Sequence, residues 1–300
     1  MPYLRSFDPH PSQTGAFRTM EIPPHPTRMS EGVAAIRATL RAYPTLLRIY
    51  WARTLEYRVQ ILIWILSGAV PLVMLAVWLS MAREGPIGSF DAGTFVGYYL
   101  AAIFLRRMTG VWIIWELNRD IRTGGLSARL LRPLHPLHYD LARTLASRPL
   151  QALLVGPPIA LALYLYPGPQ LDLTPLNLLR VSAATFMALL LEFFFQYAIG
   201  LTAFWTSQAV AFHEVWFFIK ALGSGYVIPL ALMPEGIQQR LRWTPFPLVL
   251  SFPLEMLLGR LPPDRIAQGF IAQGLWLTFA VTLVAVLWRL GIRRYEAFGA

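Results

Sequence analysis

The feature that most constrains this chain is a series of long apolar windows. The stretch from Val59 to Ser80, for example, carries no charged residue. About 20 apolar residues in a helix cross the roughly 30 Å hydrocarbon core of a bilayer. The chain as a whole is 56% hydrophobic and only 14% charged. Because a helix satisfies its own backbone hydrogen bonds in lipid, the sequence predicts an all-α integral membrane protein.

Six such windows are present. They run over about Val59–Ser80, Gly93–Trp115, Leu150–Tyr166, Leu178–Trp205, Val215–Met233 and Ala267–Trp288. The segment Trp243–Gly259, between the fifth and sixth windows, is too apolar for a simple loop. Three prolines interrupt it, so one regular spanning helix is excluded there. We expect six transmembrane helices and a re-entrant helical hairpin between helices five and six.

The N-terminal region differs from the rest. Residues 1–29 carry six prolines and little periodic hydrophobicity, which is typical of a disordered tail or of an over-extended start, with Met29 as the initiator. From residue 30, apolar residues recur at helical spacing opposite arginines, and Pro44 should kink or divide the helix. We expect an amphipathic interfacial helix that contacts membrane lipid. Residues 30–300 then form one transmembrane domain.

The arginines predict the orientation. Eight precede the first window, six lie between the second and third and three near the C-terminus, against six on the opposite side. Positive residues accumulate on the cytoplasmic side, so both termini should be cytoplasmic, in a bacterial inner membrane. This placement explains the basic excess better than nucleic-acid binding does.

Catalytic motifs are missing from the sequence. There is no G-x-x-x-x-G-K-[ST], and the single lysine, Lys220, follows no glycine loop. "HEVWF" at His213 is not H-E-x-x-H, and the chain has no cysteine. We therefore expect no enzyme activity, metal or cofactor in this chain.

A compact basic loop, "NRDIRTGGLSARLLRPLHPLHYD", follows the second window. The Gly124-Gly125 pair should end one helix through a left-handed turn, and Pro133 should stop a short second helix. Leu126 and Leu130 share one side of that helix. Such a helix could fill a groove on a soluble partner or lie on lipid, and the residues alone favour neither.

Four stretches, taken in order, resemble the type 2 ABC exporter permease family. They are "EYR" before the first window, "IRTGGLSARLLRP" after the second, "SGYVIPLALMP" with "TPF" at the fifth, and "RRYEAFG" near the end. The resemblance implies a membrane subunit that pairs with a second permease, the same or a related chain. It also implies a separately encoded ATPase subunit, which carries ATP and Mg. Lipid, drug, polysaccharide and peptide are all open as cargo.

The resemblance further implies that the basic loop is the coupling helix docking on the ATPase. Its residues would be Ile121, Arg122, Gly124, Gly125, Leu126, Arg129, Leu130, Arg132 and Pro133. Two rival functions stay open: an ion-coupled secondary transporter, and a non-transporting membrane assembly subunit.

Charged residues also fall inside the predicted membrane segments: Arg106, Arg107, Glu192 and Lys220. Each costs roughly 2.5–3.5 kcal/mol at mid-membrane unless it is paired. They either line the pathway and meet an anionic or polar head group, or join helices through a pair such as Glu192 with Arg106 or with Lys220. A last expectation concerns an outer gate or a passive cap in the re-entrant region, at Tyr226, Pro229, Pro245 and Phe246.

Overall fold

The computed structural model describes residues 28–56, 70–166 and 171–295. Over these ranges the chain forms α-helices and short 3-10 helices and no β-strand, so the predicted all-α class is confirmed for the part described. The tail 1–27, the first half of the first predicted span and the motif residues Tyr57, Arg58 and 296–299 lie outside the described residues.

The α-helices are numbered here in chain order. They are α1 (Arg28–Glu56), α2 (Val70–Met81), α3 (Ala92–Thr109), α4 (Ile114–Arg122), α5 (Leu126–Leu130), α6 (Pro136–Ala146), α7 (Arg148–Leu165), α8 (Pro175–Leu201), α9 (Ala209–Gly223), α10 (Glu235–Leu241), α11 (Phe246–Val249), α12 (Ser251–Leu257) and α13 (Pro263–Gly291). Short 3-10 helices lie at Ala82–Glu84, Thr202–Phe204 and Leu230–Leu232.

The chain divides into two compact units, residues 1–42 and 43–300. The domain boundary expected at residue 29 stays a prediction. Of the first unit the structure describes residues 28–42, which belong to α1. α1 continues through Pro44 without division.

Three helical stretches of the described chain are long and apolar enough to cross a membrane: Pro136–Leu165, Pro175–Phe204 and Pro263–Gly291. The most apolar window of the second is 44% buried, against 11% and 17% for the other two. α8 is therefore the central helix of the larger unit, while α7 and α13 present apolar side chains outward. The six-span count stays a prediction.

Two predicted spans have different boundaries in the structure. The second is not one continuous helix, because four non-helical residues, 110–113, separate α3 from α4. The fifth does not reach Met233, since α9 ends at Gly223 and Gly225 then takes φ +83°, a left-handed conformation that glycine tolerates. With 15 residues, α9 is about 22 Å long and too short to span alone.

The apolar segment after α10 folds as two short helices, α11 and α12, joined by a kink at Leu250. Leu248, Leu250 and Leu254 are all buried. The segment is thus part of the protein core. Its depth in the membrane stays a prediction.

The buried apolar residues of the larger unit form two clusters that share α8. The first joins α3, α12 and α13 to α8 through residues such as Phe95 and Leu254. The second joins α4, α5 and the C-terminal part of α8 through residues such as Leu117 and Leu126. The basic loop is therefore packed against the bundle.

Candidate functional site

The basic loop is an ordered turn followed by a single short helix. α4 ends at Arg122, and Gly124 adopts φ +80° as predicted for the turn. α5 then starts at Leu126, whose side chain is completely buried, and Ile121 is buried beside it. These two residues anchor both ends of the turn to the second core cluster.

Arg129 holds the loop from inside. Its guanidinium donates to Asp120 Oδ2 at 3.0 Å, to Asp140 Oδ2 at 2.5 Å and to the Pro136 carbonyl at 3.2 Å. Its side chain is only 11% exposed. Burial works against the charge, but the Asp140 and Asp120 carboxylates outweigh it and raise the pKa of Arg129. Arg129 is therefore a permanently charged internal brace that joins α4, α5 and α6.

A second brace comes from the C-terminal residues. The Tyr295 hydroxyl accepts a hydrogen bond from the Ser127 backbone N–H at 3.0 Å and contacts the Ser127 hydroxyl at 3.1 Å. Ser127 lies in the first turn of α5, and its N–H also donates to the Gly124 carbonyl at 3.1 Å. Tyr295 thus shares this donor and ties the start of α5 to a distant part of the chain.

The opposite side of the loop faces outward. Leu131 is 89% exposed and Leu130 is 39% exposed. Arg122 is also exposed, and the Arg132 guanidinium lies 5.2 Å from the ring of Tyr139. We call Arg122, Leu130, Leu131 and Arg132 the tip surface. The sequence prediction grouped Arg129 with these residues, whereas the structure turns Arg129 inward.

Lys220 and Glu192, two of the four charges inside the predicted membrane segments, form a pair in the structure. Lys220 of α9 forms a salt bridge with Glu192 of α8, and the two side chains are 6% and 1% exposed. Gln196, one turn along α8, donates to the same Glu192 Oε1 at 2.8 Å. Of the two pairs proposed from the sequence, the structure has Glu192 with Lys220.

Arg106 lies near this pair but contacts aromatic rings. Its guanidinium carbon is 4.0 Å from the ring centre of Tyr226 and 5.3 Å from that of Phe217. Among the described residues, no carboxylate forms a salt bridge with Arg106. A small cavity of about 10 Å³ lies between the pair and Arg106, and it is lined by Arg106, Thr109, Gly110, Glu192, Lys220, Ser224, Val249 and Leu250. That volume is close to the minimum for one water molecule.

The cavity lies where helices are interrupted. Gly110 begins the break after α3, Ser224 follows the end of α9, and Leu250 is the kink between α11 and α12. Non-helical backbone at membrane depth is tolerated where it is enclosed by protein or lines a polar cavity. Arg107 is beside Arg106 on α3, and its carbonyl accepts from Arg148 at 2.7 Å.

The four residues expected at an outer gate lie within the fold of the single chain. Tyr226, Pro229 and Pro245 are buried, and Phe246 packs against Trp216 with ring centres 5.0 Å apart. Hydrogen bonds from α3 hold the segment after α9, because Tyr98 and Tyr99 donate to the carbonyls of Gly225 and Val227, both at 2.7 Å.

Sequence reasoning missed several residues that organise these sites: Asp140, Arg148, Gln196, Tyr98, Tyr99 and Tyr295. One signal was available for Gln196. A glutamate and a glutamine one turn apart in an otherwise apolar helix share a face and need a common partner. The remaining contacts join residues far apart in the chain and have no local signature.

A comparison with protein families adds an independent finding. The sequence model described as ABC-2 family transporter protein matches residues 62–299. A comparison with curated proteins finds no match. Permeases of this kind are multi-pass membrane subunits that generally lack an ATPase of their own and associate with an ATP-binding subunit. Since the match covers well over half of the chain and includes the basic loop and the buried charges, the protein belongs to the ABC-2 transporter family as a permease subunit of an ABC-type transporter.

Proposed function

We propose that this permease belongs to an ATP-driven exporter and docks a separate ATPase subunit through the coupling helix at Ile121–Pro133. It forms the translocation pathway together with a second permease, either the same or a related chain. ATP and Mg bind the ATPase subunit. The observation that carries the proposal is the tip surface, an exposed pair of leucines flanked by arginines on a tightly braced base.

The bracing matters because coupling depends on rigidity. A docking element transmits movement only if its contacts differ between two states of the partner. A loop that deformed freely would absorb that movement. Arg129 and Tyr295 hold α5 from two sides, so displacement of the tip surface would pass to α4 and α6. The partner groove would be apolar at its floor, to receive Leu130 and Leu131, with acidic residues at its rim opposite Arg122 and Arg132.

We assign different roles to the buried charges. The Glu192–Lys220 pair joins α8 to α9. Arg106, with no carboxylate partner among the described residues, lines the cavity and would meet a polar or anionic group of the cargo when the pathway opens. A planar guanidinium is suited to carboxylate and phosphate groups.

The proposal extends to the membrane orientation, to α1 and to the re-entrant region. Both termini would be cytoplasmic in a bacterial inner membrane, and the surface helix α1 would lie against lipid and steady the coupling helix. Tyr43 of α1 supports this bracing, because its hydroxyl lies 3.0 Å from His138 Nδ1 of α6. The re-entrant region, with Tyr226, Pro229, Pro245 and Phe246, would form the gate on the outer side.

Copurification of the ATPase subunit tests the docking proposal. The permease with Leu131→Asp should fold normally, because this side chain is 89% exposed. We expect the ATPase to be lost from the purified complex, since a residue at the centre of an interface can weaken binding by about 30-fold or more. The matched control is Ile237→Asp on α10, which is also exposed and lies outside the tip surface. It should retain the ATPase.

Arg129→Leu separates bracing from direct contact. We expect this variant to lose the ATPase as well, but together with a lower unfolding temperature of the permease, because Asp120 and Asp140 then lose their partner. If Leu131→Asp retained the ATPase at the wild-type ratio, the tip surface would not be the docking site.

A further inference from the structure

The break between α3 and α4 is held open by two polar side chains from other helices. α3 ends at Thr109 and α4 begins at Ile114. Arg148, at the start of α7, donates to the carbonyl oxygens of Arg107 at 2.7 Å and Gly110 at 2.6 Å. Gln196, on α8, donates to the carbonyl of Val111 at 2.5 Å. Carbonyls that a continuous helix would satisfy internally are thus satisfied by side chains.

Gln196 makes a second contact, which links the break to the buried Glu192–Lys220 pair. The same Nε2 group donates to Glu192 Oε1, the oxygen that pairs with Lys220 of α9. One amide therefore connects the linker that leads to α4 with the buried pair that joins α8 to α9. Gln196 is almost wholly buried, so both bonds are shielded from bulk solvent.

The break is also connected directly to the basic loop through α4. α4 runs from the break to Arg122, and the turn at Gly124 leads into α5. A displacement of α5 reaches the linker along one helix of nine residues. Because the linker itself is not helical, it can change direction without unwinding a helix.

We infer that Gln196 and Arg148 are positioning residues of the coupling mechanism: they hold the α3–α4 break and pass movement of the docking loop to the Glu192–Lys220 pair and α9. The inference rests on the proposed function, since it requires an ATPase that moves the loop. It assigns roles to two residues that do not touch the ATPase.

Distance measurements in the assembled transporter test this inference. The chain has no cysteine, so two cysteines introduced into one chain can carry spin labels without background labelling of native cysteines. One pair of labels is placed at Arg119 of α4 and Leu179 of α8. The distance between them reports movement of α4, the helix that leads to the basic loop. The other pair is placed at Phe218 of α9 and Leu179. The distance between them reports movement of α9, the helix that carries Lys220. All three side chains are more than half exposed.

In the wild type, a non-hydrolysable ATP analogue should shift both distances by on the order of 2 Å or more. With Gln196→Leu, the Arg119 distance should still shift while the Phe218 distance stays at its nucleotide-free value. Arg148→Lys should weaken the Phe218 response, because an ammonium cannot reproduce the fork that reaches both carbonyls. If Gln196→Leu does not fold, Gln196→Met is of similar length and has no hydrogen-bond donor to offer Val111.

Gln273 provides the matched control. It is a fully buried glutamine whose Nε2 donates to two backbone carbonyls, of Ala184 and Leu248, both at 3.0 Å. Gln273→Leu should lower the unfolding temperature about as much as Gln196→Leu and leave both distance changes intact. A purely structural role for Gln196 would make the two variants behave alike.

Two results would overturn the inference while leaving docking in place. In the first, Gln196→Leu and Gln196→Met both show the full wild-type change at Phe218. In the second, the wild-type Phe218 distance does not respond although the ATPase is bound and the Arg119 distance shifts. Failure of any ATPase to copurify would instead reject the proposed function, and this inference with it.

Discussion

At the scale of single residues, the protein places charge where lipid would make it costly and then surrounds it. Lys220 neutralises Glu192, and Gln196 supports the same carboxylate oxygen. Arg106 lies over two aromatic rings, whose faces attract cations. Charges inside a membrane segment mark either a structural pair or a transport route. Here a paired lysine and glutamate and an arginine held by aromatic rings line one small cavity.

The buried pair yields a prediction about stability. Glu192→Leu alone leaves Lys220 buried without a partner, and we expect a loss of about 3–5 kcal/mol. Lys220→Met alone should cost a similar amount. The double variant should recover most of the loss, because two apolar side chains of similar volume replace the pair. Thermal unfolding of the purified proteins measures this. A double variant as unstable as the two losses added together would contradict the pairing role.

At the scale of helices, close approach depends on glycine at particular positions of α13. A Cβ added to Gly269 would lie 2.1 Å from Phe252 Cε2, so the ring of α12 packs directly on the backbone of α13. Gly274, five residues later on the same helix, has no atom within 4 Å of the corresponding position. The first glycine is therefore a packing requirement.

The two glycines form a matched experiment. Gly269→Ala should destabilise the protein by about 1–3 kcal/mol, as overpacked cores do. Gly274→Ala should be neutral or raise the unfolding temperature, because alanine favours the helix by up to about 1 kcal/mol. If both variants behave alike in thermal unfolding, the contact between α12 and α13 is looser than described. Phe252→Leu should partly rescue Gly269→Ala by making room for the methyl group.

At the scale of the whole molecule, the larger unit presents apolar helix faces outward. Exposed side chains include Leu161 on α7, Phe218 on α9 and Leu275 on α13. For a protein of the ABC-2 transporter family, such surfaces face lipid tails or another subunit.

Orientation in the membrane can be measured directly. Since the chain has no cysteine, single cysteines at Leu131 on the tip surface and at Arg83 in the Ala82–Glu84 turn report the two sides. Both positions are exposed. A membrane-impermeant maleimide added to intact cells should label Arg83→Cys, and label Leu131→Cys only after permeabilisation. The arginine distribution is the physical reason. The reverse pattern would place the basic loop outside the cell and contradict the proposed docking.

Much of the architecture could be predicted because lipid imposes simple rules. Apolar length identified the helical, membrane class, and proline spacing identified the two short helices after α10. The loop at Gly124 was also readable, since a left-handed turn before a short leucine-bearing helix has a local signature. The break in the second predicted span and the early end of the fifth at Gly223 were not foreseen. Each depends on contacts with residues far away in the chain.

The sequence by itself thus determined the class of fold and the presence of an ordered basic loop, and it located four charges within apolar segments, of which Glu192 and Lys220 are buried. The pairing of those charges was decided by the tertiary structure. A local pattern cannot tell whether Glu192 meets Arg106 or Lys220, because that depends on how α8 and α9 pack. The break after Thr109 was likewise decided by Arg148 and Gln196, which replace the lost helical hydrogen bonds from a distance. The inward turn of Arg129 has the same origin: a guanidinium turns inward when the fold brings Asp120 and Asp140 together around it.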